Sequence, residues 1–164
     1  MTNQSAVIPE EMIEFARVYR VLSELDPDQL KKLLPLAEET HFSRGQILFK
    51  EGDQSLYLHL LVSGDVALEM MAGGQAIPVQ TVHAGDAIGW SSLAPGSRTH
   101  FQARALSKVD TVAFAGARLK AACDRDPAMG YALMKQLLEL VTERLDAARM
   151  QLVDIYGRPE PVRR

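Results

Sequence analysis

Cysteine is all but absent from this 164-residue sequence, with Cys123 standing alone. A single thiol closes no internal disulfide and lacks the companions of a structural zinc site, so a small core side chain is its expected role. Long apolar runs are missing too. Nothing approaches the roughly 18 residues that span a bilayer, and Met1 to Glu14 has no basic stretch leading into an apolar one. A cytoplasmic location without membrane contact is therefore expected. Nor is there a basic excess: 18 Lys and Arg stand against 21 Asp and Glu, a net charge of −3. A chain so balanced has no general pull toward nucleic acid, and none is expected to bind by itself. Nucleophile-elbow, phosphate-loop and dinucleotide glycine patterns are all lacking, which argues against the common enzyme classes.

What is present is 47% hydrophobic content, enough for one compact core and too little chain for two ordinary domains. Three parts follow one another within that single unit. Residues 1–40 form a helical segment: from about Pro9, Met12, Phe15, Ala16, Tyr19 and Leu22 recur at helical spacing. Asp26-Pro27 then starts a second, shorter helix carrying Leu30, Leu33 and Leu34, which Pro35 kinks or ends. Residues 41–125 read as an all-β roll or barrel, since eight of the 11 glycines fall between Gly45 and Gly96 and separate short β-branched and apolar runs. The turns Arg44-Gly45, Glu51-Gly52-Asp53, Ser63-Gly64-Asp65, Gly73-Gly74 and Gly85-Asp86 bracket strands such as 47–49, 57–62 and 66–70. Residues 126–157 form one long helix opened by Asp126-Pro127 and striped by Leu133, Leu137, Val141, Leu145, Ala148, Leu152 and Ile155. Unbroken, it would reach about 45 Å, beyond the diameter of its own domain, so part of the stripe needs a partner and a homodimer is expected. The alternative is a bend that packs the whole helix on its own roll. Gly157 and Pro159 end the helix, and Glu160 to Arg164 read as a frayed tail.

The string Phe42 to Leu68, FSRGQILFKEGDQSLYLHLLVSGDVAL, resembles the opening strands of cyclic-nucleotide-binding domains. The likeness rests on Arg44-Gly45, on Glu51-Gly52-Asp53, and on the apolar run into Ser63-Gly64-Asp65-Val66. It continues through Ala84-Gly85-Asp86-Ala87-Ile88-Gly89 and the long helix, so it covers about Val21 to Gly157. It resembles in particular sensor domains of bacterial regulators of the catabolite-activator and fumarate-nitrate-reductase type. The implied fold is mainly β with flanking helices: a β-roll of jelly-roll type, N-terminal helices and a long C-terminal helix. Relatives that are transcription factors continue with a helix-turn-helix module. This chain stops near Gly157, and no DNA-reading element is expected.

The resemblance implies a phosphate-binding cassette at residues 89–99. A cyclic phosphodiester carries one negative charge and two exposed oxygens, which suit an arginine fork and free backbone amides. Arg98 would supply the fork, Ser91, Ser92 and Leu93 the amides, Gly89 close approach and Thr99 a hydroxyl. A solvated surface ion pair is the plainer role for Arg98. The family commonly has glutamate after the cassette glycine, where it accepts from a ribose hydroxyl; here Trp90 follows Gly89, and an indole only donates. Trp90 could stack on a base, close over another anion, or fill an unoccupied cassette as a core residue. The run His100 to Ala105 alternates as a strand, placing His100, Gln102 and Arg104 on one polar face and Phe101, Ala103 and Ala105 on the other. His100, a further departure from the family, would add a donor beside Arg98 or else stand as an exposed strand residue. From the long helix, Thr142, Arg144 and Arg149 are candidates to close over the ligand, or members of a solvated face.

These readings give a stand-alone sensor that takes a small anionic ligand, a cyclic nucleotide or another phosphate-containing molecule, and requires no cofactor. One alternative is a ligand-free roll serving as a protein-interaction module for a protein partner. Another is a metal enzyme of the cupin kind, which would need His41, His59, His83 and His100 brought together. Cupins place two histidines one residue apart, and no pair here is closer than 17 positions, so neither metal nor catalysis is expected.

Overall fold

Two short helices lead into the roll, and each ends where the sequence stops favouring helix. α1 (Glu10–Arg17) gives way to a 3-10 turn at Arg20–Leu22. The sequence reading carries one helix through Tyr19 and Leu22. The break falls where Val18, Tyr19 and Val21, all poor helix formers, follow one another, and the turn still buries Tyr19, Val21 and Leu22. α2 (Pro27–Leu33) starts with a complete capping box. The Asp26 carboxylate accepts from Gln29 N at 2.8 Å, and Asp26 N donates to Gln29 Oε1 at 3.0 Å. Pro35 sits in a 3-10 turn, Leu34–Leu36, and ends the helix as expected. The structure, a computed structural model, describes residues 10–157. Pro9, Pro159, the tail from Glu160, and the side chains of Met12 and Ile155 lie outside the described residues.

Eight strands follow: β1 (Ala37–Phe42), β2 (Ile47–Phe49), β3 (Tyr57–Ser63), β4 (Val66–Ala72), β5 (Gln75–Val82), β6 (Ala87–Ile88), β7 (Gln102–Ala105) and β8 (Val109–Ala115). They form two antiparallel sheets of four, ordered β1-β8-β3-β6 and β2-β7-β4-β5. The β3–β4 turn needs glycine at Gly64, where φ is +84° and an added Cβ would lie 2.2 Å from Lys108 O.

Strand alternation splits the apolar residues between two cores. On β3, Leu58 and Leu60 join the helices in an outer core with Leu30, Phe114, Leu119 and Leu133. Leu61 points the other way, into the roll, with Val66, Leu68, Ile88, Ala103 and Val109. His59 shares that inward parity. It is buried, its Nδ1 lies 3.1 Å from Thr111 Oγ1, and its ring neighbours Phe42, Phe49 and Tyr57. Burial drives its pKa down to about 4.

The sequence reading extends the roll to residue 125, but its last strand ends at Ala115 and Gly116–Arg125 forms a helix, α3. Leu119, Ala122 and Cys123 bury one face of it, so the lone thiol is a core residue. α4 (Pro127–Tyr156) is a single helix of 30 residues, about 45 Å long at 1.5 Å per residue. Asp126 caps it, accepting from Met129 N at 3.1 Å, and pairs with Lys32 at 2.7 Å. The Lys32 ammonium holds the Asp126 carboxyl below its ordinary value. The single stripe expected on this helix is really two. Met129, Leu133, Leu137 and Leu140 are buried on the outer core, whereas Tyr131, Leu138, Leu145 and Leu152 are exposed.

Candidate functional site

Between β6 and β7 the chain leaves the roll, makes one 3-10 turn at Trp90–Leu93, and returns. Gly89 begins the excursion in the left-handed region, φ +80°, and an added Cβ would lie 2.2 Å from Tyr57 O. Any other residue there would face both backbone strain and a collision, so glycine sets how closely the turn approaches β3. Ser92 N donates to Gly89 O at 3.0 Å and Ala94 N to Ser91 O at 3.0 Å. The returning limb is stitched to the segment before β3. Ser55 N donates to Ser97 O at 3.0 Å, Thr99 N to Asp53 O at 2.9 Å, and Gly52 N to Thr99 O at 2.9 Å.

Side chains reinforce the same seam. The Thr99 hydroxyl donates to Lys50 O, the Ser91 hydroxyl lies 2.8 Å from Ser55 Oγ, and Arg98 Nη1 donates to Gly52 O at 2.7 Å. These groups are therefore engaged within the chain, and the hydroxyl oxygens keep acceptor capacity.

A narrow cleft with about 20 Å³ of free interior, room for about one water, lies between this excursion and the roll, lined by Phe49, Leu68, Ile88, Gly89, Trp90, Ser91, Thr99, His100 and Phe101. Five of the eight residues expected from sequence thus meet at one cavity: Gly89, Trp90, Ser91, Thr99 and His100. Arg98 sits exposed outside that lining, turned onto the Gly52 carbonyl. Ser92 faces the opposite side, where its carbonyl approaches Gly116 and its buried hydroxyl has no partner among the described residues. Leu93 borders a wider, open cleft of about 430 Å³ shared by Trp90, Ser91 and His100 with Met134, Leu137, Leu138 and Val141 of α4.

The polar strand face expected from His100 to Arg104 divides in two. β7 starts only at Gln102, and Gln102 and Arg104 are spent on Glu69, with Nε2 at 2.7 Å and Nε at 3.1 Å from its carboxylate. The cleft is lined instead by His100 and by the apolar neighbour Phe101. Sequence reasoning missed the walls Phe49, Leu68, Ile88 and Phe101. The signal was available for Leu68 and Ile88, whose inward parity follows from strand alternation. It was available for Phe101 too, which shares the face of Ala103 and Ala105, but not for Phe49, because the β2–β7 pair shifts register between Ile47 and Phe49.

Of the three helix candidates, Thr142 back-bonds to Leu138 O at 2.8 Å and Arg149 lies 3.4 Å from Asp146, both exposed. Arg144 alone reaches the excursion. Its guanidinium lies 4.8 Å from the centroid of the Trp90 indole, within cation–π range. Nη2 donates to Ala87 O, while Nη1 is buried with no partner among the described residues. Burial lowers the Arg144 pKa to about 10, opposed by the Asp86 carboxylate. The cation therefore stays charged at neutral pH while lacking a full set of acceptors.

Among the described residues no three His, Cys, Asp or Glu side chains cluster as a metal ion requires, and no helix is long and apolar enough to cross a membrane. The four histidines stay apart. His41 pairs with Asp110 at 2.7 Å and His83 with Asp65 at 2.6 Å on the surface, while His59 is enclosed in the roll.

Comparison with known proteins places this geometry. The family model described as "Cyclic nucleotide-binding domain" matches residues 39–126. A protein of Geobacter metallireducens assigned as cyclic nucleotide-binding shares 32% identity, with 85% of this chain and 99% of that one covered at a TM-score of 0.72. A cyclic nucleotide-binding domain from Methylobacillus flagellatus superposes over 99% of this chain and 100% of its own at 16% identity and a TM-score of 0.77. The catabolite activator protein of Thermus thermophilus does so over 83% of this chain and 62% of its own, at 23% identity and a TM-score of 0.68. No curated protein matches the sequence. With a family model spanning more than half its length and the two-sheet roll, helical lead and long closing helix all in place, the chain belongs to the cyclic nucleotide-binding domain family.

Proposed function

We propose that this chain is a regulatory domain that senses a small anionic ligand at the narrow cleft beside Trp90, which widens to admit it, and passes its occupancy to α4, without catalysing a reaction. One observation carries the reading: Trp90 lines that cleft and also holds Arg144 of α4 against it. A ligand that presses on the indole must disturb a contact of the helix, and a sensor needs such a link. Arg98 would turn from the Gly52 carbonyl to an anion at the cleft mouth. cAMP and cGMP remain candidates, with Trp90 standing where a ribose acceptor would be needed.

The output surface is the exposed side of α4. Tyr131, Met134, Leu138, Val141, Leu145, Ala148 and Leu152 follow one another at alternating spacings of three and four, the repeat of a two-stranded coiled coil. Most of their side chains stand in solvent. A second copy related by a two-fold axis would cover this seam, which makes the protein a homodimer.

A second reading keeps the fold and drops the ligand: a protein-interaction module with its cassette plugged. The bonds that Ser91, Arg98 and Thr99 make within the chain favour it. A thermal-shift screen separates the two, using cAMP, cGMP, cyclic dinucleotides, other nucleotides and small anions. A ligand at 100 times its dissociation constant adds about 2.7 kcal/mol, or roughly 5–11 °C for a chain of this size. A shift lost in Arg98→Ala supports the sensor; a flat screen supports the interaction module.

A further inference from the structure

The N-terminal segment does not close completely over the outer face of the roll. Between the two lies a cavity of about 150 Å³, with Phe15, Ala16 and Tyr19 on the helical side and Leu60, Val112 and Phe114 on the sheet side. It shares no lining residue with the narrow cleft beside Trp90. Val18, which follows the end of α1, is turned out to solvent at 74% exposure, so this apolar side chain fills none of the space. An apolar cavity of about 150 Å³ has room for one benzene ring. Phe15 and Tyr19 are already set edge-to-face, with centroids 5.3 Å apart, and such fixed rings receive a further ring at little ordering cost.

Strand register puts charge at the mouth of this cavity. β1 is an edge strand on which Ala37 pairs with Phe114 and Glu39 with Val112, and Val112 pairs in turn with Leu60. Side chains two apart on a strand share a face, so Glu39 stands on the same face as Ala37, which packs on the outer core. Glu38 and Glu39 both line the cavity and both are exposed, which places them at its rim. Glu38 lies 3.8 Å from Arg118, whereas Glu39 has no ion pair or hydrogen bond among the described residues. No lysine, arginine or histidine among the described residues lines the cavity.

One polar group lies deeper. Tyr19 is only 4% exposed, and its hydroxyl makes no hydrogen bond among the described residues, although a hydroxyl so buried ordinarily finds a partner. Burial raises its pKa, which keeps it a neutral phenol able to donate or accept. Apolar walls sized for one ring, with carboxylates at the rim and no cation, suit a compact body carrying one positive charge. An ammonium held at the rim keeps part of its water and escapes full desolvation.

We propose that this cavity is a second ligand site, apart from the cassette, and that it takes a small primary amine with one ring, the ring among Phe15, Tyr19 and Phe114 and the ammonium at Glu39. The full chain is titrated calorimetrically with benzylamine, phenethylamine, benzyl alcohol and benzoate. The two amines bind one per chain with dissociation constants of about 1 mM or tighter, and the alcohol and the acid bind weaker by about tenfold or more. Glu39→Gln lowers amine affinity by about tenfold and leaves that of the alcohol unchanged. Val112→Phe, which fills the cavity, abolishes binding of the amines. A matching thermal transition shows that each variant keeps its fold, and the exposed Glu39→Gln decides the matter if Val112→Phe does not. In methyl NMR spectra the signals of Leu60 and Val112 move with the amine, and those of Leu68 and Ile88 in the cleft beside Trp90 do not. Movement of Leu68 and Ile88 instead would place the amine at the cassette and overturn the second site. Equal binding of benzyl alcohol, or unchanged amine affinity in Glu39→Gln, overturns the ligand class. No binding by either amine overturns the site itself and leaves the sensor reading standing.

Discussion

α4 is one continuous helix with two unlike halves. Through Leu140 it is docked: Met129, Leu133, Leu137 and Leu140 sink into the outer core, and Lys135 and Glu139 reach Glu24 and Arg20 of the N-terminal segment. Beyond Arg144 the helix leaves the roll, and Leu145, Met150, Leu152 and Val153 are exposed. Both halves are comparably apolar. What separates them is the spacing of what is buried: the docked residues recur with the helical period and stop at Leu140, whereas the exposed seam keeps a three-four alternation along nearly the whole helix. The first pattern belongs to a helix lying on a sheet, the second to one lying along a parallel helix. Trp90 and Arg144 meet where the first ends.

The largest effect separating the halves is expected at Leu133, which is fully buried. Leu133→Ala removes buried methyls and leaves a cavity, costing about 3 kcal/mol. Urea unfolding of dilute protein should show it as a lower midpoint with an unchanged slope. A cost below 1 kcal/mol would mean that the docked half is not anchored as the burial pattern implies.

Acid tests the contrast from the side of the roll. The folded pKa of His59, about 4, lies below its ordinary value of 6.5, so the unfolded chain takes up this proton first. Stability is whole above pH 6.5 and is lost as pH falls toward 4, by about 2 kcal/mol at pH 5 from this group. His59→Phe should flatten that part of the pH profile, because Thr111 retains Thr40 as a partner at 2.6 Å. A profile that keeps its full slope in His59→Phe would assign the acid sensitivity to other groups.

At the boundary between the halves, Arg144→Met is expected to change folding stability by no more than about 1 kcal/mol. The substitution loses the indole contact and one hydrogen bond. It also removes a buried cation with an unpartnered nitrogen, and the two effects oppose each other. The fluorescence of Trp90 should move, reporting the lost contact even where the unfolding midpoint does not. A loss of 3 kcal/mol or more would make Arg144 a principal anchor of the helix instead of a relay.

How much of this was legible in the sequence follows the same division between local and long-range chemistry. Asp26-Pro27 and Asp126-Pro127 announced their helices because a cap and a proline act within one turn. Gly64 and Gly89 marked tight places because each needs both a left-handed backbone and the absence of a Cβ. α3 was missed: it starts at a glycine without a side-chain cap, so it read as more of the glycine-punctuated roll. The stripe on α4 was seen as one because steps of four and three drift slowly around a helix, so Leu133 runs into Leu145 through Leu137 and Val141 although the two stand about 120° apart. In the site, Gly89, Trp90, Ser91, Thr99 and His100 were found through a contiguous segment. Arg144 was one of three candidates until its contact with Trp90 appeared, since 54 positions of chain hide that pairing.

The smallest effect on folding is expected at Leu145, and it separates the halves most directly. Its side chain is 59% exposed in the single chain, so Leu145→Ala should leave the urea midpoint of dilute protein within about 0.5 kcal/mol of wild type. In the proposed dimer the same side chain lies on the seam of both helices. Truncating two such leucines removes roughly 3–6 kcal/mol of apolar burial, a weakening of dimerisation by 100-fold or more. Sedimentation equilibrium over a range of concentrations reads this directly, with Leu133→Ala as the converse case of a weakened fold. Unchanged dimerisation in Leu145→Ala would move the interface off α4, and a wild type that stays monomeric at high concentration would remove it. The free half of the helix would then be a surface for a different protein, and the three-four alternation along it would need that partner to be helical too.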